Sequence, residues 1–194
     1  VWRSAVGAAH VVAAKGAPEA VVDLCHLDTE TQARIAQAVD TMAAQGLRVL
    51  GVASARFEGE LWPAQEHDFD FKFLGLLGLA DPLRAEIPDA VAQCHAAGIR
   101  VIMITGDYPA TARAIAQRAG LGQGDAQDVL TGDAIATLDD AQLRLRMRTT
   151  QVCARVAPEQ KLRIVQALQA SGEVVAMTGD GVNDAPALKA AHVG

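Results

Sequence analysis

The chain has 194 residues, 51% of them hydrophobic, which suits one full domain or two small ones with a substantial core. Seventeen Lys and Arg against 23 Asp and Glu give a formal charge of −6 with no basic block, so a grip on nucleic-acid phosphates is excluded as the main activity. The longest apolar run, residues 73–80, falls far short of the ~20 residues needed to span a bilayer, and two Trp, one Tyr and four Phe are too few for a base-stacking platform.

Residues 10–15 alternate as a strand, and Gly16-Ala17-Pro18-Glu19 turns into a helix with Pro18 near its first position. Thr29-x-x-Gln32 reads as a capping box that starts a second helix ending at Gly46, after which residues 47–55 alternate as another strand. Residues 58–70 are polar and irregular, with Gly59 and Pro63, and a domain junction is expected near residue 70. Beyond it, short solid apolar runs at 73–79, 100–104, 151–156 and 174–177 fit buried parallel strands. Helices are expected between them at 86–97, 109–119 and 158–170, each stopped by a glycine. This alternation predicts a doubly wound α/β domain with its site at the carboxyl ends of the strands. Cys25, Cys94 and Cys153 are scattered and odd in number, and read as buried thiols of a reducing compartment, by default the cytosol.

Two of the predicted strands end in nearly the same words: Met103-Ile-Thr105-Gly106-Asp107 and Met177-Thr178-Gly-Asp180-Gly-Val-Asn183-Asp184. Each sets a hydroxyl, a glycine and a carboxylate at the crevice. Hydroxyl and backbone donors suit a phosphoryl group, and Asp180, Asn183 and Asp184 offer hard oxygens for Mg²⁺. Lys161, on the helix that opens at Pro158, could neutralise charge on a transferred phosphoryl. A third copy, Thr131-Gly132-Asp133, follows no strong strand and reads as the cap of a helix near Leu138.

The stretch Thr178-Gly-Asp-Gly-Val-Asn-Asp-Ala-Pro186 resembles the hinge motif of P-type ATPases, cation pumps of the haloacid-dehalogenase-like superfamily. Lys15-Gly-Ala-Pro-Glu19, Asp81-Pro-Leu-Arg84, Met103-Ile-Thr-Gly-Asp107 and Ala154-Arg-Val-Ala-Pro-Glu-Gln-Lys161 agree in order, and the wording is most similar to the calcium and sodium/potassium pump branch. The resemblance implies an incomplete Rossmann-like phosphorylation domain at 71–194, preceded at 1–70 by the C-terminal part of an α+β nucleotide-binding domain. It implies that Lys15, Gly16, Arg48, Arg84 and Arg155 border ATP. It also implies that Thr105, Gly106, Asp107 and Lys161 serve the phosphoryl group, that Asp180 ligates Mg²⁺, and that Asn183 and Asp184 order that site.

One departure governs the rest. The family's nucleophile is the aspartate of an Asp-Lys-Thr-Gly-Thr segment, and none occurs between Val1 and Gly194. The resemblance places it upstream, on a strand between those preceding Thr105 and Thr178. The chain is therefore expected to be a soluble piece of a pump's head, inactive alone, whose partners are ATP and the remainder of the pump at the cytoplasmic face of a membrane. A stand-alone phosphatase of the superfamily and a non-catalytic module are the alternatives; residues 1–70 argue against the first.

Overall fold

The computed structural model describes residues 1–3, 10–59, 61–121 and 129–194. They form two compact units, Val1–Asp81 and Pro82–Gly194.

The first unit is a four-stranded antiparallel sheet of β1 (Trp2–Arg3), β2 (His10–Gly16), β3 (Arg48–Phe57) and β4 (Lys72–Leu79), in that order. Helices α1 (Pro18–Leu24) and α2 (Thr29–Ala44) connect β2 to β3. Strict alternation on β3 buries Gly51, Ala53 and Ala55 and leaves Arg48 and Arg56 exposed. Val12, Val21, Leu24, Ala53, Ala55 and Phe71 make the core. The cap of α2 is Asp28, one residue before the Thr29 read from the sequence: its carboxylate accepts from the Thr31 amide at 2.8 Å and the Thr31 hydroxyl at 2.8 Å.

The run at 73–79 is not a buried parallel strand. As β4 it pairs antiparallel with β3, Arg48 opposite Leu79 and Ser54 opposite Lys72, with a bulge at the Val52/Ala53 step. The first compact unit therefore continues to Asp81, past the junction expected near residue 70. A run apolar at nearly every position hides its own alternation: Leu74, Leu77 and Leu79 are exposed while Phe73 packs against the core.

The second unit is α/β. Its parallel sheet has the order β5 (Met103–Ile104), β7 (Val152–Ala154), β6 (Val129–Thr131). Around it lie α3 (Ile87–Ala96), α4 (Pro109–Arg118), α5 (Gly132–Thr137), α6 (Asp140–Met147), α7 (Pro158–Ala170) and α8 (Ala185–Ala190). Central β7 is buried at all three residues and serves two cores. Val152 and Ala154 join Val91, Ala112 and Leu121 on one face, and Cys153 joins Leu143, Met147 and Ile164 on the other. The expected helices end as read, with Gly98, Gly120 and Gly172 at φ of 75°, 82° and 85° just past α3, α4 and α7, a region glycine enters at little cost.

Residues 174–177, expected as a strand, make only an isolated parallel bridge between Ala176 and Val193. Among the described residues they do not pair with β5, whose one ladder is to β7. Of the three cysteines only Cys153 is buried; Cys25 and Cys94 are half-buried.

Candidate phosphoryl site

The loop after β5 is built around one hydroxyl. Thr105 Oγ1 donates to the Asp107 carboxylate at 3.0 Å and accepts from the Asp107 amide at 3.1 Å, which closes a tight turn over Gly106. A Cβ on Gly106 would meet nothing within 4 Å, so the backbone there faces open space. The loop after β7 is tied to it: the Arg155 amide donates to the Asp107 carbonyl and the Val156 amide to the Thr105 carbonyl, each at 3.1 Å. Two residues on, α7 begins at Pro158 and carries Lys161 on its first turn.

Lys161 then reaches the third segment. Its Nζ donates to Asp184 Oδ1 at 2.6 Å, with the side chains 16% and 13% exposed. The Asp184 amide in turn donates to the Gly181 carbonyl at 2.9 Å. A Cβ on Gly179 would lie 2.9 Å from Asp184 Oδ2, and one on Gly181 3.1 Å from it, so the glycines of this loop make room for the carboxylate. A hydrogen-bonded path thus links the Thr105 loop, the head of α7 and the Gly179–Gly181 turn.

This geometry divides the expected Mg²⁺ ligands. Asp184 is committed to Lys161, whereas the Asp180 carboxylate is exposed and has no hydrogen bond or ion pair to any described residue. No group of three or more His, Cys, Asp or Glu side chains converges among the described residues. Mg²⁺ typically keeps several waters and takes one or two carboxylates plus phosphate oxygens. Asp180 therefore fits as one hard ligand of a water-rich ion; the described residues supply no closed cage. Asn183 lies in a short 3₁₀ turn, Val182–Asp184, with an exposed side chain.

The residues expected at ATP fall in both units. Lys15 and Arg48 lie on the open face of the first sheet, since Lys15 is opposite Val52 and Arg48 shares the face of Val52 four residues along β3, a distance of about 13 Å at strand rise. Gly16 ends β2 opposite Gly51. A Cβ on Gly51 would come 3.0 Å from the Val21 Cβ and 3.2 Å from the Pro18 Cα, while one on Gly16 would stay 3.9 Å from Val21, so Gly51 is what lets α1 settle on the sheet. A pocket of about 240 Å³ on this unit, lined by Val11, Ser54, Arg56, Asp70 and Lys72, lies toward the other end of β3 and contains none of the expected nucleotide residues. In the second unit Arg84 is exposed ahead of α3, and Arg155 lies in the loop after β7 with its guanidinium 5.6 Å from the Tyr108 ring centroid.

Sequence reasoning passed over Gln160. Its Oε1 accepts from the Ala157 amide and its Nε2 donates to the Gly132 carbonyl, each at 2.9 Å. The signal, a Gln three residues into α7, was weak because Ala157 cannot answer it as a Ser or Thr cap would.

A three-stranded parallel sheet flanked by helices, with hydroxyl, lysine and carboxylate loops at its carboxyl edge, is an α/β domain of the doubly wound class, and the sequence pattern of the haloacid dehalogenase-like hydrolases matches residues 7–192. The chain belongs to that family. Its relatives narrow the class: it is 45% identical over 206 residues to the "Probable cation-transporting ATPase F" of Mycobacterium tuberculosis strain H37Rv, covering 97% of this chain and 22% of that protein. It is 41% identical over 161 residues to "Calcium-transporting ATPase 1" of Bacillus cereus, and 38% identical over 229 residues to the "Sodium/potassium-transporting ATPase subunit alpha-2" of Bos taurus, covering 83% and 95% of this chain. The chain spans about a fifth of these proteins, 18% and 22% of the last two. Pumps of both the calcium and the sodium/potassium kind are thus among its relatives. Among the described residues no helix is long and apolar enough to cross a membrane.

Proposed function

We propose that this chain is part of the ATP-hydrolysing head of a cation-transporting P-type pump, comprising the end of its nucleotide-binding domain and most of its phosphorylation domain. The observation that carries the reading is the path from Thr105 through Val156 and α7 to the Lys161–Asp184 pair, because it brings three motif segments to one edge of the sheet. In the parent, an aspartate outside the chain attacks the γ-phosphorus, forming an acyl phosphate as ADP leaves. The Thr105 hydroxyl and the Gly106 backbone orient the phosphoryl oxygens. Lys161 spends one of its three N–H donors on Asp184 and keeps two for developing negative charge. Asp180 would hold Mg²⁺, which when bound neutralises phosphate charge. Lys15, Arg48, Arg84 and Arg155 hold the nucleotide, and the parent works at the cytoplasmic face of its membrane.

Two measurements on the chain test this. Incubation with γ-labelled ATP should leave no acid-stable label, since the Asp-Lys-Thr-Gly-Thr nucleophile is not in the sequence; stoichiometric label would sink the reading. Calorimetry with Mg²⁺ and inorganic phosphate should show weak binding that Asp180→Ala removes, and equal Mg²⁺ binding by both proteins would take Asp180 out of the role.

A further inference from the structure

The third Thr-Gly-Asp copy has so far only an end-capping role. Thr131 Oγ1 accepts from the Ala134 amide at 3.3 Å at the start of α5, which follows β6. Its glycine does something else. Gly132 is buried, and a Cβ there would overlap the Arg155 carbonyl oxygen and lie 2.8 Å from Gln160 Oε1. The Arg155 carbonyl thus occupies the volume that any other residue at 132 would fill.

That contact falls on an unusual backbone. Arg155 has φ of 54°, and with His26 it makes up the non-glycine residues at positive φ among those described. A left-handed arginine persists only where its surroundings over-determine it. Here they do so from both sides. The Arg155 amide is held by the Asp107 carbonyl and the Val156 amide by the Thr105 carbonyl, while Gln160 clamps the Ala157 amide to the Gly132 carbonyl. The loop after β7 is therefore suspended between the first and third Thr-Gly-Asp copies. Its side chain emerges over Tyr108, the residue that precedes α4 and follows Asp107, at cation–π distance.

We infer that Gly132 is a positioning residue: by admitting the Arg155 carbonyl it fixes the left-handed turn that holds the Arg155 guanidinium over the Tyr108 ring, beside the Thr105–Asp107 loop, where it meets phosphate oxygens. The part concerning phosphate rests on the functional reading above. The positioning itself does not.

Tyr108 is the single tyrosine of the chain, so in a sample labelled only at tyrosine every ring resonance comes from this one ring and its surroundings. Arg155→Ala defines the ring signals without the guanidinium. Gly132→Ala is expected to move them to the same positions, with the remaining amide fingerprint of the folded protein kept. Ring signals left at their wild-type positions in folded Gly132→Ala overturn the inference. Should that variant not fold, Gln160→Ala decides in its place: loosening the clamp should shift the ring signals toward those of Arg155→Ala, and unshifted signals overturn the inference. Titration with inorganic triphosphate adds the second arm. Arg155→Ala and the positioning variant should each weaken binding by about tenfold, the value of one charged hydrogen bond, and the double variant should lose no more than either alone. Additive losses would contradict a shared route through Arg155. Ring signals that move as expected in a protein with no affinity for triphosphate would support the positioning and defeat the phosphate reading on its own.

Discussion

Lys161 and Asp184 show how much of the loop around Gly179 and Gly181 is held by one contact. Both side chains are mostly buried and 2.6 Å apart, so removing one leaves a charge out of water with no partner. Asp184→Ala should destabilise the second unit by about 3 kcal/mol, whereas Lys161→Met with Asp184→Leu should cost far less than the two single changes added, because no lone charge is left behind. Urea unfolding of Asp184→Ala, of the two single changes Lys161→Met and Asp184→Leu, and of their double variant checks this; additive losses would mean that the ion pair is not the source. Cys153 makes a different residue-scale case. It is completely buried, and burial pushes its thiol up to about 12. The folded state therefore keeps the proton after the unfolded chain, with a thiol near 8.5, has released it. This group leaves stability untouched below pH 8 and lowers it as pH rises from about 8.5 toward 12, with a slope of at most about 1.4 kcal/mol per pH unit. Unfolding midpoints between pH 8 and 10.5 should fall less steeply in Cys153→Ala, and an unchanged slope would assign the loss to other groups.

At the scale of elements, the glycine that matters for α1 is not the one the motif advertises. Gly16 stands inside Lys15-Gly-Ala-Pro-Glu19, yet a methyl group there would make ordinary contact, while Gly51 on β3 lies under Val21 and the Pro18 backbone. Gly51→Ala should cost about 1–3 kcal/mol as α1 is pushed off the sheet, and Gly16→Ala within about 0.5 kcal/mol. Comparable thermal shifts for the two would refute the packing argument. The example also marks what a sequence reveals. Helices α3, α4 and α7 were legible because each carries a proline at its start and a glycine past its end, both local signals. The Thr105, Lys161 and Thr178 segments were legible because their polar residues interrupt apolar runs. β4 was not, since its apolar open face erased the period of two, and neither were Gln160 and Gly132, whose work depends on partners 28 residues apart. Contacts of that kind are set by topology, which no local pattern contains.

At the scale of the whole molecule the informative feature is an unused edge. Among the described residues β5 uses one side only: the Met103 and Thr105 amides donate to Gln151 and Cys153 of the β7 segment, so the alternate groups of Ile102 and Ile104 point away from the ladder. Ile102 and Ile104 are nevertheless packed against the core. Residues 174–177, the other segment expected beside the nucleophile strand, hold a single bridge to Val193, and Val174 is 83% exposed. β4 does not fill the gap, because it belongs to the first unit. An open apolar edge next to a core invites pairing with another chain, and each buried amide or carbonyl left without a partner costs on the order of 1–3 kcal/mol. On the proposed reading, the strand that ends in the nucleophilic aspartate supplies those partners. The chain alone should then unfold at low denaturant and self-associate at high concentration, while a version extended upstream through an Asp-Lys-Thr-Gly-Thr strand should be monomeric and more stable by several kcal/mol. Light scattering and urea titration of both proteins decide the matter. Equal stability and a monomer in each would show that the sheet needs no further strand, and would remove the structural ground for placing the nucleophile beside Thr105.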